Sequence, residues 1–304
     1  MLKIYDLIIL GAGPSGITAS VYSARKKMDF LVITKDIGGQ AAWSGDIENY
    51  IGYQFISGPQ LVTKFEEHMR HFGIDIRMPE EVKEIFKDND LVHTVTDKSE
   101  YISRTLIVAT GKRPKELGIE GEREFKNRGV TYCATCDGPL FSGKIVAIIG
   151  GGNSALDAAL QMVKISPLVY IINIGERLTA DNVMVEKINS YPNVVIYNRT
   201  VVKRIYGDKF VKGLEVLRDD KLEDIALEGI FVEIGLIPNS DFAGILELNK
   251  DKEIIVDCTN RTNIEGIFAC GDVTNVPEKQ IIVACGEGAK ASLSAFRYLY
   301  THNW

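Results

Sequence analysis

The sequence predicts an α/β protein with two dinucleotide-binding units of the Rossmann type, one inserted into the other. The prediction rests on two copies of one pattern: an apolar run of strand length, a glycine-rich turn and a helix-compatible run. The first glycine turn starts at Gly11 and the second at Gly150, which places the copies 139 residues apart (150 − 11). The chain of 304 residues is long enough for two domains of about 150 residues each.

The first unit occupies the N-terminal part of the chain. Residues 5–10 (YDLIIL) predict a strand, GxGxxG follows at Gly11, Gly13 and Gly16, and residues 29–34 predict the next strand. The three glycines permit a tight turn, close approach of a pyrophosphate, and packing of helix on strand, while the helix N-terminus attracts the phosphates. The acidic ribose ligand expected about 20 residues further on is missing, because Thr34 and Lys35 stand there.

The second unit has the permitted G-x-G-x-x-A form at Gly150, Gly152 and Ala155. Its second strand, residues 169–173, ends at Asn173, whereas NAD selection favours an acidic residue there and NADP selection a nearby arginine. The sequence therefore favours a unit that keeps the fold without binding a nicotinamide nucleotide.

Three further strand-then-turn segments complete the division into domains. They cover residues 104–111, 230–239 and 267–272. Residues 280–300 are rich in glycine and alanine and then become helical in pattern. Crossovers near residues 112–118 and 238–239 give an outer domain of residues 1–114 and 243–304 and an inner domain of residues 115–242.

A Cys-x-x-Cys motif, Cys133-Ala-Thr-Cys136, lies early in the inner domain and is followed by Asp137. A zinc site would need a second ligand pair, and neither Cys258, Cys270 and Cys285 nor the four histidines supply one. Two thiols at this spacing instead predict a small, reducible disulfide. Asp137 is either the general acid or base of this pair or a turn residue. The other three cysteines are interpreted as packing residues.

Composition excludes several classes of protein. A net charge of −6 and a pI near 5.4 argue against a general nucleic-acid binder. The longest apolar runs have strand length, so a membrane-spanning segment is not expected. The odd number of cysteines is unlike a secreted disulfide framework, and we expect a cytoplasmic protein.

GAGPSG at the N-terminus, CATCDG ahead of GGGNSA, and a late GIFACGD together resemble the low-molecular-weight flavin thioredoxin reductases over nearly the whole chain. The resemblance implies two Rossmann-like FAD/NAD(P)-binding domains of the three-layer ββα type. It also implies FAD in the outer domain, a redox disulfide between Cys133 and Cys136 in the inner one, thioredoxin as the partner, and a homodimer. In that family Cys136 faces the flavin, Cys133 attacks thioredoxin, and Asp137 manages the proton.

The resemblance also implies which residues hold FAD. Gly11, Gly13, Pro14, Ser15 and Gly16 would cradle the pyrophosphate. The other implied cofactor-binding positions are Gly39 and Gln40 of a GGQ turn, Asn49 of an ENY segment, Thr110 and Gly111 of an ATG turn, Gly271 and Asp272 of a GD pair, and Lys279, Gln280 and Ile281 near the isoalloxazine. Lys279 stands where the family usually has an arginine. A lysine keeps the positive charge but lacks the planar set of N–H donors of a guanidinium group.

A larger departure concerns the electron donor. NADPH-dependent members carry an HRRxxxR pattern where this chain has Asn173-Ile174-Gly175, so the charges for a 2′-phosphate are missing. Members without the pattern resemble a branch that takes electrons from reduced ferredoxin, which we expect here. NADH, a deazaflavin, or an oxygen-dependent dithiol oxidase are the alternatives. Residues 25–27 and the basic residues 112, 113 and 115 are candidate docking charges for ferredoxin, or solvated charges; the roles of Trp43 and Trp304 stay open.

Overall fold

The computed structural model describes residues 3–44 and 46–302, without the side chains of Trp43, Asp46 and Cys136. The helices are α1 (Pro14–Arg25), α2 (Gly58–His71), α3 (Ala134–Asp137), α4 (Asn153–Met162), α5 (Asn182–Asn189) and α6 (Ile281–Thr301). Short 3-10 helices cover Gly39–Trp43, Gly138–Phe141 and Gly271–Val273.

The strands follow one another along the chain as β1 (Ile4–Ala12), β2 (Phe30–Ile37), β3 (Asp46–Ile47), β4 (Ile56–Ser57), β5 (Ile76–Arg77), β6 (Val82–Asp88), β7 (Leu91–Thr96), β8 (Glu100–Val108), β9 (Lys112–Pro114), β10 (Val130–Thr131), β11 (Val146–Ile149), β12 (Val169–Ile172), β13 (Val194–Tyr197), β14 (Thr200–Gly207), β15 (Val211–Arg218), β16 (Lys221–Ala226), β17 (Gly229–Val232), β18 (Leu236–Pro238) and β19 (Ile267–Ala269). The chain forms two compact units, Met1–Arg113 with Ile237–Trp304, and Pro114–Leu236.

The first unit is built on a seven-stranded sheet in the order β5-β2-β1-β8-β7-β6, with β19 also paired to β8. Strands β5, β2, β1, β8 and β19 run parallel, while β6, β7 and β8 form an antiparallel meander. Alternate residues of β1 enter cores on opposite faces, Ile8 and Leu10 on one and Leu7 and Ile9 on the other. A strand covered on both faces must be apolar at successive positions, which explains the run YDLIIL.

The second unit repeats the architecture on a smaller scale. Its five-stranded sheet is parallel in the order β10-β17-β11-β12-β13, and a separate antiparallel sheet has the order β14-β15-β16. Strand β11 divides its side chains as β1 does, with Val146 and Ile148 in one core and Ala147 and Ile149 in another. The predicted fold class, two Rossmann-like α/β domains with one inserted into the other, is confirmed.

None of the helices in residues 3–44 and 46–302 is both long enough and apolar enough to cross a membrane.

Candidate functional site

The first glycine turn joins β1 to α1 and is shaped by two close approaches. Gly11 has a φ of +101°, and a Cβ on Gly16 would lie 2.0 Å from the carbonyl oxygen of Gly11. A Cβ on Gly13 would meet no protein atom within 4 Å. Gly13 is the N-cap of α1 and Pro14 its first residue. Packing within the chain therefore explains Gly11 and Gly16, whereas the space beside Gly13 is free for a ligand.

The GGQ segment is placed beside this turn. The Gly38 N–H donates to the Ala12 carbonyl oxygen at 2.7 Å, and a Cβ on Gly39 would lie 3.5 Å from the Cα of Gly13. The Gln40 side chain donates to the Lys112 carbonyl oxygen at 3.3 Å. The second predicted cofactor segment thus borders the first, although Gly39 follows Gly16 by 23 residues in sequence (39 − 16).

The GD pair approaches the same turn from the other side. Gly271 begins a 3-10 helix, and its missing Cβ would lie 2.5 Å from the Ser15 Oγ. The ATG turn is held by Asn239, whose N–H donates to the Gly111 carbonyl oxygen at 2.9 Å and whose side chain donates to the Thr110 carbonyl oxygen at 2.8 Å.

The ENY segment meets the start of α6. The Asn49 side chain donates to the Gln280 Oε1 at 3.0 Å, and Gln280 is the N-cap of α6. Ile281, the first residue of that helix, packs against a small apolar cluster containing Ile47 and Ile56. All fifteen predicted cofactor-binding residues therefore lie in the first unit, and several pairs of them are in contact.

A group of charges completes this part of the site. The Glu253 carboxylate lies 2.9 Å from both the Lys112 and the Lys279 ammonium groups, and Lys279 also donates to the Thr274 carbonyl oxygen at 2.5 Å. Burial acts to raise the pKa of Glu253, but hydrogen bonds from Lys279 and Lys112 outweigh it and lower the value to about 2. The Lys279 ammonium, expected near the isoalloxazine, is thus engaged by the protein itself.

The pKa of Asp272 is shifted in the opposite direction from that of Glu253. Burial raises its pKa, and the charges of Lys279 and Lys112 offset the increase only in part. Within residues 3–44 and 46–302, no group donates a hydrogen bond to this half-buried carboxylate. A carboxylate only accepts hydrogen bonds, so a hydroxyl-bearing ligand could donate to it.

These features fit FAD. The open space at Gly13 and the N-terminus of α1 suit a pyrophosphate, and the Asp272 carboxylate suits the hydroxyl groups of a ribityl chain.

The redox motif lies in the second unit, in the segment of residues 131–138 that we call the redox turn. Cys133 is disulfide-bonded, while Cys258, Cys270 and Cys285 are free thiols. The Cys136 side chain lies outside the described atoms, so its pairing with Cys133 stays a prediction.

Asp137 is held within the redox turn. The Thr131 hydroxyl donates to an Asp137 carboxylate oxygen and accepts from the Cys133 N–H at 3.3 Å, and the Asp137 N–H donates to the Cys133 carbonyl oxygen at 3.1 Å.

Cys270 is buried, and burial raises the pKa of its thiol to about 12, in keeping with a packing residue. Cys258 is exposed, so the interpretation as a packing residue is wrong for that position, which lies at the surface next to a polar loop.

In the second glycine unit, the strand that follows the turn between β11 and α4 leads into the uncharged Asn173. Asn173 is buried, and its amide donates to Asn198 Oδ1 at 2.8 Å and to the Gly175 carbonyl oxygen at 3.2 Å, while it accepts from the Gly175 N–H at 3.1 Å. Both amide protons of Asn173 are therefore used within the protein, and the exposed Arg177 lies four positions further along.

Two acidic residues that the sequence did not single out lie at this turn. Glu233 directly follows β17, and its carbonyl oxygen would be 2.2 Å from a Cβ on Gly150. Burial, followed by the negative charge of Asp157 on α4, raises the pKa of Glu233 to about 8 against an opposing hydrogen bond from Ser154. The GGGNSA motif marked the turn, but no local signal marks Glu233, which is 83 residues away from Gly150 (233 − 150).

Two further predictions concern surface charges and aromatic residues. Lys112 is paired with Glu253, and Arg113 is paired with Asp241 at 2.7 Å, so neither is an uncommitted docking charge. The Trp43 side chain and the whole of Trp304 lie outside the described residues.

Within the described part of the chain, no cluster of three or more His, Cys, Asp or Glu side chains could hold a metal ion.

Comparison with known proteins gives a consistent family. A model of the family "Pyridine nucleotide-disulphide oxidoreductase" matches residues 5–288. The chain is 41% identical over 299 residues to a protein of Ferdinandcohnia aciditolerans named NADH dehydrogenase, covering 97% of this chain and 57% of that protein. The chain thus spans little more than half the length of this curated relative.

Solved structures resemble the chain over nearly its full length. The thioredoxin reductase of Lactococcus lactis, in the conformation titled FR, superposes with a TM-score of 0.91 at 34% identity, covering 98% of this chain and 99% of that one. A ferredoxin-flavin thioredoxin reductase of Clostridium acetobutylicum gives a TM-score of 0.56 at 31% identity, covering 99% and 100%.

Proposed function

We propose, since this chain belongs to the pyridine nucleotide-disulphide oxidoreductase family, that it is a FAD-dependent thiol–disulfide oxidoreductase that reduces thioredoxin or a thioredoxin-like protein. The observation that carries the proposal is the disulfide-bonded Cys133 in the CATC turn of a chain whose other unit has the glycine cradle for FAD. The likeness to solved thioredoxin reductases supports it.

In this proposal the reducible bond joins Cys133 to Cys136. The first glycine turn would hold FAD, which, once reduced by the electron donor, would supply the two electrons needed to break the S–S bond, and two protons would complete the two thiols. The Cys133 thiolate then bonds to one sulfur of the partner's disulfide, whose other sulfur leaves as a thiolate and takes a proton. Attack by Cys136 re-forms the internal disulfide and releases the partner with two thiols.

Asp137 is the proton carrier of this exchange. The Asp137 carboxylate stays at the redox turn because it accepts a hydrogen bond from the Thr131 hydroxyl. The Asp137 N–H donates to the Cys133 carbonyl oxygen. A carboxylate so placed can accept a proton from one thiol and return it to the leaving sulfur.

For the electron donor we propose reduced ferredoxin. The supporting observation is Asn173, an uncharged side chain with both amide protons used, at the place where a nicotinamide nucleotide would be selected. The Asn173 side chain carries no charge that could balance a 2′-phosphate, which disfavours NADPH. The likeness to the Clostridium acetobutylicum ferredoxin-flavin enzyme also supports this donor.

NADH is the second candidate donor. A relative that is 41% identical bears the name NADH dehydrogenase, and the match covers 97% of this chain. NADH has no 2′-phosphate, so the missing arginines do not argue against it. A deazaflavin donor or oxygen-dependent dithiol oxidation would require other observations. We retain a homodimer as part of the proposal on the strength of the family resemblance, and a cytoplasmic location because the odd number of cysteines is unlike a secreted disulfide framework.

The test is an anaerobic reduction of the purified yellow protein. Reduced ferredoxin, NADH and NADPH are added separately at equal reducing equivalents, and bleaching of the flavin absorbance is followed. We expect rapid bleaching with ferredoxin, and none with NADPH at micromolar concentration. Rapid bleaching with NADH alone would replace the first donor by the second, and rapid bleaching with NADPH would contradict both.

The same preparation tests the dithiol. Cys133→Ser and Cys136→Ser should each keep a full complement of FAD but lose turnover of a thioredoxin disulfide, because a single thiol cannot re-form the internal bond. Cys258→Ser, which removes an exposed free thiol, is the matched control and should turn over normally. Normal turnover in the Cys133 or Cys136 variant would refute the proposed reaction.

A further inference from the structure

A buried carboxylate joins the redox turn to the entry segment, our name for residues 114–118, with which the chain enters the second unit. Glu122 is only 1% exposed. Its Oε1 accepts from the Leu117 N–H at 2.7 Å and from the Tyr132 hydroxyl at 2.8 Å, and its Oε2 accepts from the Gly118 N–H at 2.6 Å. Three donors thus offset the cost of burying this carboxylate.

The Tyr132 side chain is held at both its hydroxyl and its ring. Burial, followed by the hydrogen bond to Glu122, raises the pKa of Tyr132, so the phenol keeps its proton and donates it to the carboxylate. The ring packs against the apolar core that contains Phe125, and the Lys126 ammonium lies 5.0 Å from the ring centre. The hydroxyl bond therefore acts on a side chain with little freedom of its own.

The position of Tyr132 restricts the backbone of the next residue, the disulfide-bonded Cys133. The Cys133 N–H donates to the Thr131 hydroxyl at 3.3 Å, and the Cys133 carbonyl oxygen accepts from the Asp137 N–H at 3.1 Å. These two bonds lie within the redox turn. The bond between Glu122 and Tyr132 ties the same turn to the entry segment outside it.

A backbone fixed in this way affects the equilibrium between disulfide and dithiol. A disulfide forms more favourably when the chain already holds its two sulfurs near each other, because closing the bond then costs less conformational entropy. The bond from Tyr132 to Glu122 is present in the form in which Cys133 is disulfide-bonded. A contact that holds this closed form stabilises the disulfide relative to the dithiol.

We propose that Glu122 is a positioning residue for the redox centre, which through Tyr132 holds Cys133 in the backbone arrangement that favours the internal disulfide. This inference rests on the proposed dithiol function, in which the bond joins Cys133 to Cys136. A more stable internal disulfide makes the dithiol a stronger reductant, so the contact favours transfer of electrons to the partner's disulfide.

The test measures the disulfide equilibrium in the full-length, FAD-loaded protein. Wild type and Tyr132→Phe are equilibrated anaerobically in mixtures of reduced and oxidised dithiothreitol, quenched in acid and alkylated, and the thiols gained are counted by mass. The flavin absorbance of each sample gives its oxidation state. Tyr132→Phe keeps the ring and loses only the hydroxyl. We expect its equilibrium constant for disulfide formation to fall about three- to tenfold, equivalent to about 15–30 mV.

Three variants serve as controls. Glu122→Gln keeps an oxygen for the Tyr132 hydroxyl but loses the acceptor for the Gly118 N–H, so it should be less stable than the wild type with an unchanged disulfide equilibrium. Glu122→Met has no such oxygen and should reproduce the fall, and adding Tyr132→Phe to it should change nothing further. Tyr170→Phe, at a tyrosine packed against the same core, should match the wild type. If Glu122→Met does not fold, the other variants decide the inference.

A merely structural role gives a different result. It would lower the melting temperatures of the oxidised and reduced forms of Tyr132→Phe equally and leave the equilibrium constant unchanged, which would overturn the inference. A fall in Glu122→Gln or Tyr170→Phe as large as that in Tyr132→Phe would also overturn it.

Failure of the inference can be told from failure of the proposed function. Wild-type protein that gains no thiols on reduction would refute the dithiol function itself. Wild-type protein that gains two thiols, with Tyr132→Phe indistinguishable from it, would refute only the role of Glu122.

Discussion

At the residue scale, the glycines of the first turn have two different roles. Two of them are required by the packing of the chain itself, and one leaves space for a ligand. Gly16 cannot carry a side chain, because a Cβ would lie 2.0 Å from the Gly11 carbonyl oxygen, while Gly11 has a φ of +101° that disfavours other residues. Gly13 has neither restriction, since its backbone is extended and the space beyond it is open. Among these three glycines, Gly13 is therefore the one at which a substitution tests ligand binding without disturbing the packing of the protein.

We therefore predict that Gly13→Val binds FAD at least about tenfold more weakly, a loss of about 1.4 kcal/mol, while the FAD-free protein melts at the wild-type temperature. The side chain would occupy the space where the pyrophosphate approaches the backbone. Equilibrium titration of FAD into the stripped protein measures the change. The matched control is Gly244→Val in the same unit, at an exposed glycine whose Cβ would also meet nothing within 4 Å. Equal FAD affinities for the two variants would contradict the assigned site.

At the element scale, α1 and α6 pack closely against each other in the first unit. A Cβ on Gly288 would lie 2.1 Å from the Ser15 carbonyl oxygen, and the hydroxyl groups of Ser23 and Ser292 are 2.9 Å apart between the two helices. The close approach lets α6 support the turn that ends at Gly16 and brings Gly271 against Ser15. One glycine thus fixes the distance between two elements that border the cofactor site.

Gly288→Ala should destabilise the protein by about 1–3 kcal/mol, because the added methyl group overpacks a backbone contact that cannot yield cheaply. Gly286→Ala, two residues earlier on the same helix, adds its methyl group to open space and should stabilise by up to about 1 kcal/mol through helix propensity. Urea denaturation followed by fluorescence gives both values. Equal effects at the two positions would show that helix propensity, and not contact with α1, governs this helix.

The elements themselves differ in how far the sequence predicts them. The parallel strands β1, β8 and β11 and helix α6 follow from apolar runs and glycine turns, because burial on both faces produces an unambiguous pattern. The antiparallel sheet β14-β15-β16 was not predicted. Its strands are mixed, with exposed lysines and acidic residues among the buried ones, and a half-buried strand of this kind gives a weak signal.

At the scale of the whole molecule, the candidate site was predictable wherever chemistry is carried by a contiguous motif. The turn at Gly11, the CATC motif and the GD pair are local patterns, and the structure brings the first and third together. Glu253, Asp157 and Glu233 could not be found in this way, because each matters only through partners from other segments of the chain. Glu253, for example, lies 141 residues from Lys112 in sequence and 2.9 Å from it in space.

Glu233 gives a prediction for the stability of the folded protein. Its pKa of about 8 lies above the ordinary value of 4.5, so between these pH values the folded chain holds a proton that the unfolded chain releases. The free energy of unfolding should therefore decrease as the pH rises through this window, by at most about 1.4 kcal/mol per pH unit for one group. Below pH 4.5 both states are protonated, and the contribution is fully present.

Glu233→Gln should remove this decrease, because an amide keeps the shape of the protonated acid and does not ionise. We expect the variant to be close to the wild type at pH 5 and more stable than it at pH 9. Chemical denaturation at both pH values, with hydrogen exchange in β11 and β17 as the local readout, measures the difference. Glu228→Gln, at an exposed position just before β17, is the matched control and should follow the wild-type pH dependence. A parallel decrease in the wild type and Glu233→Gln would mean that other groups set the alkaline limit, and that Glu233 is ionised in the folded protein at neutral pH.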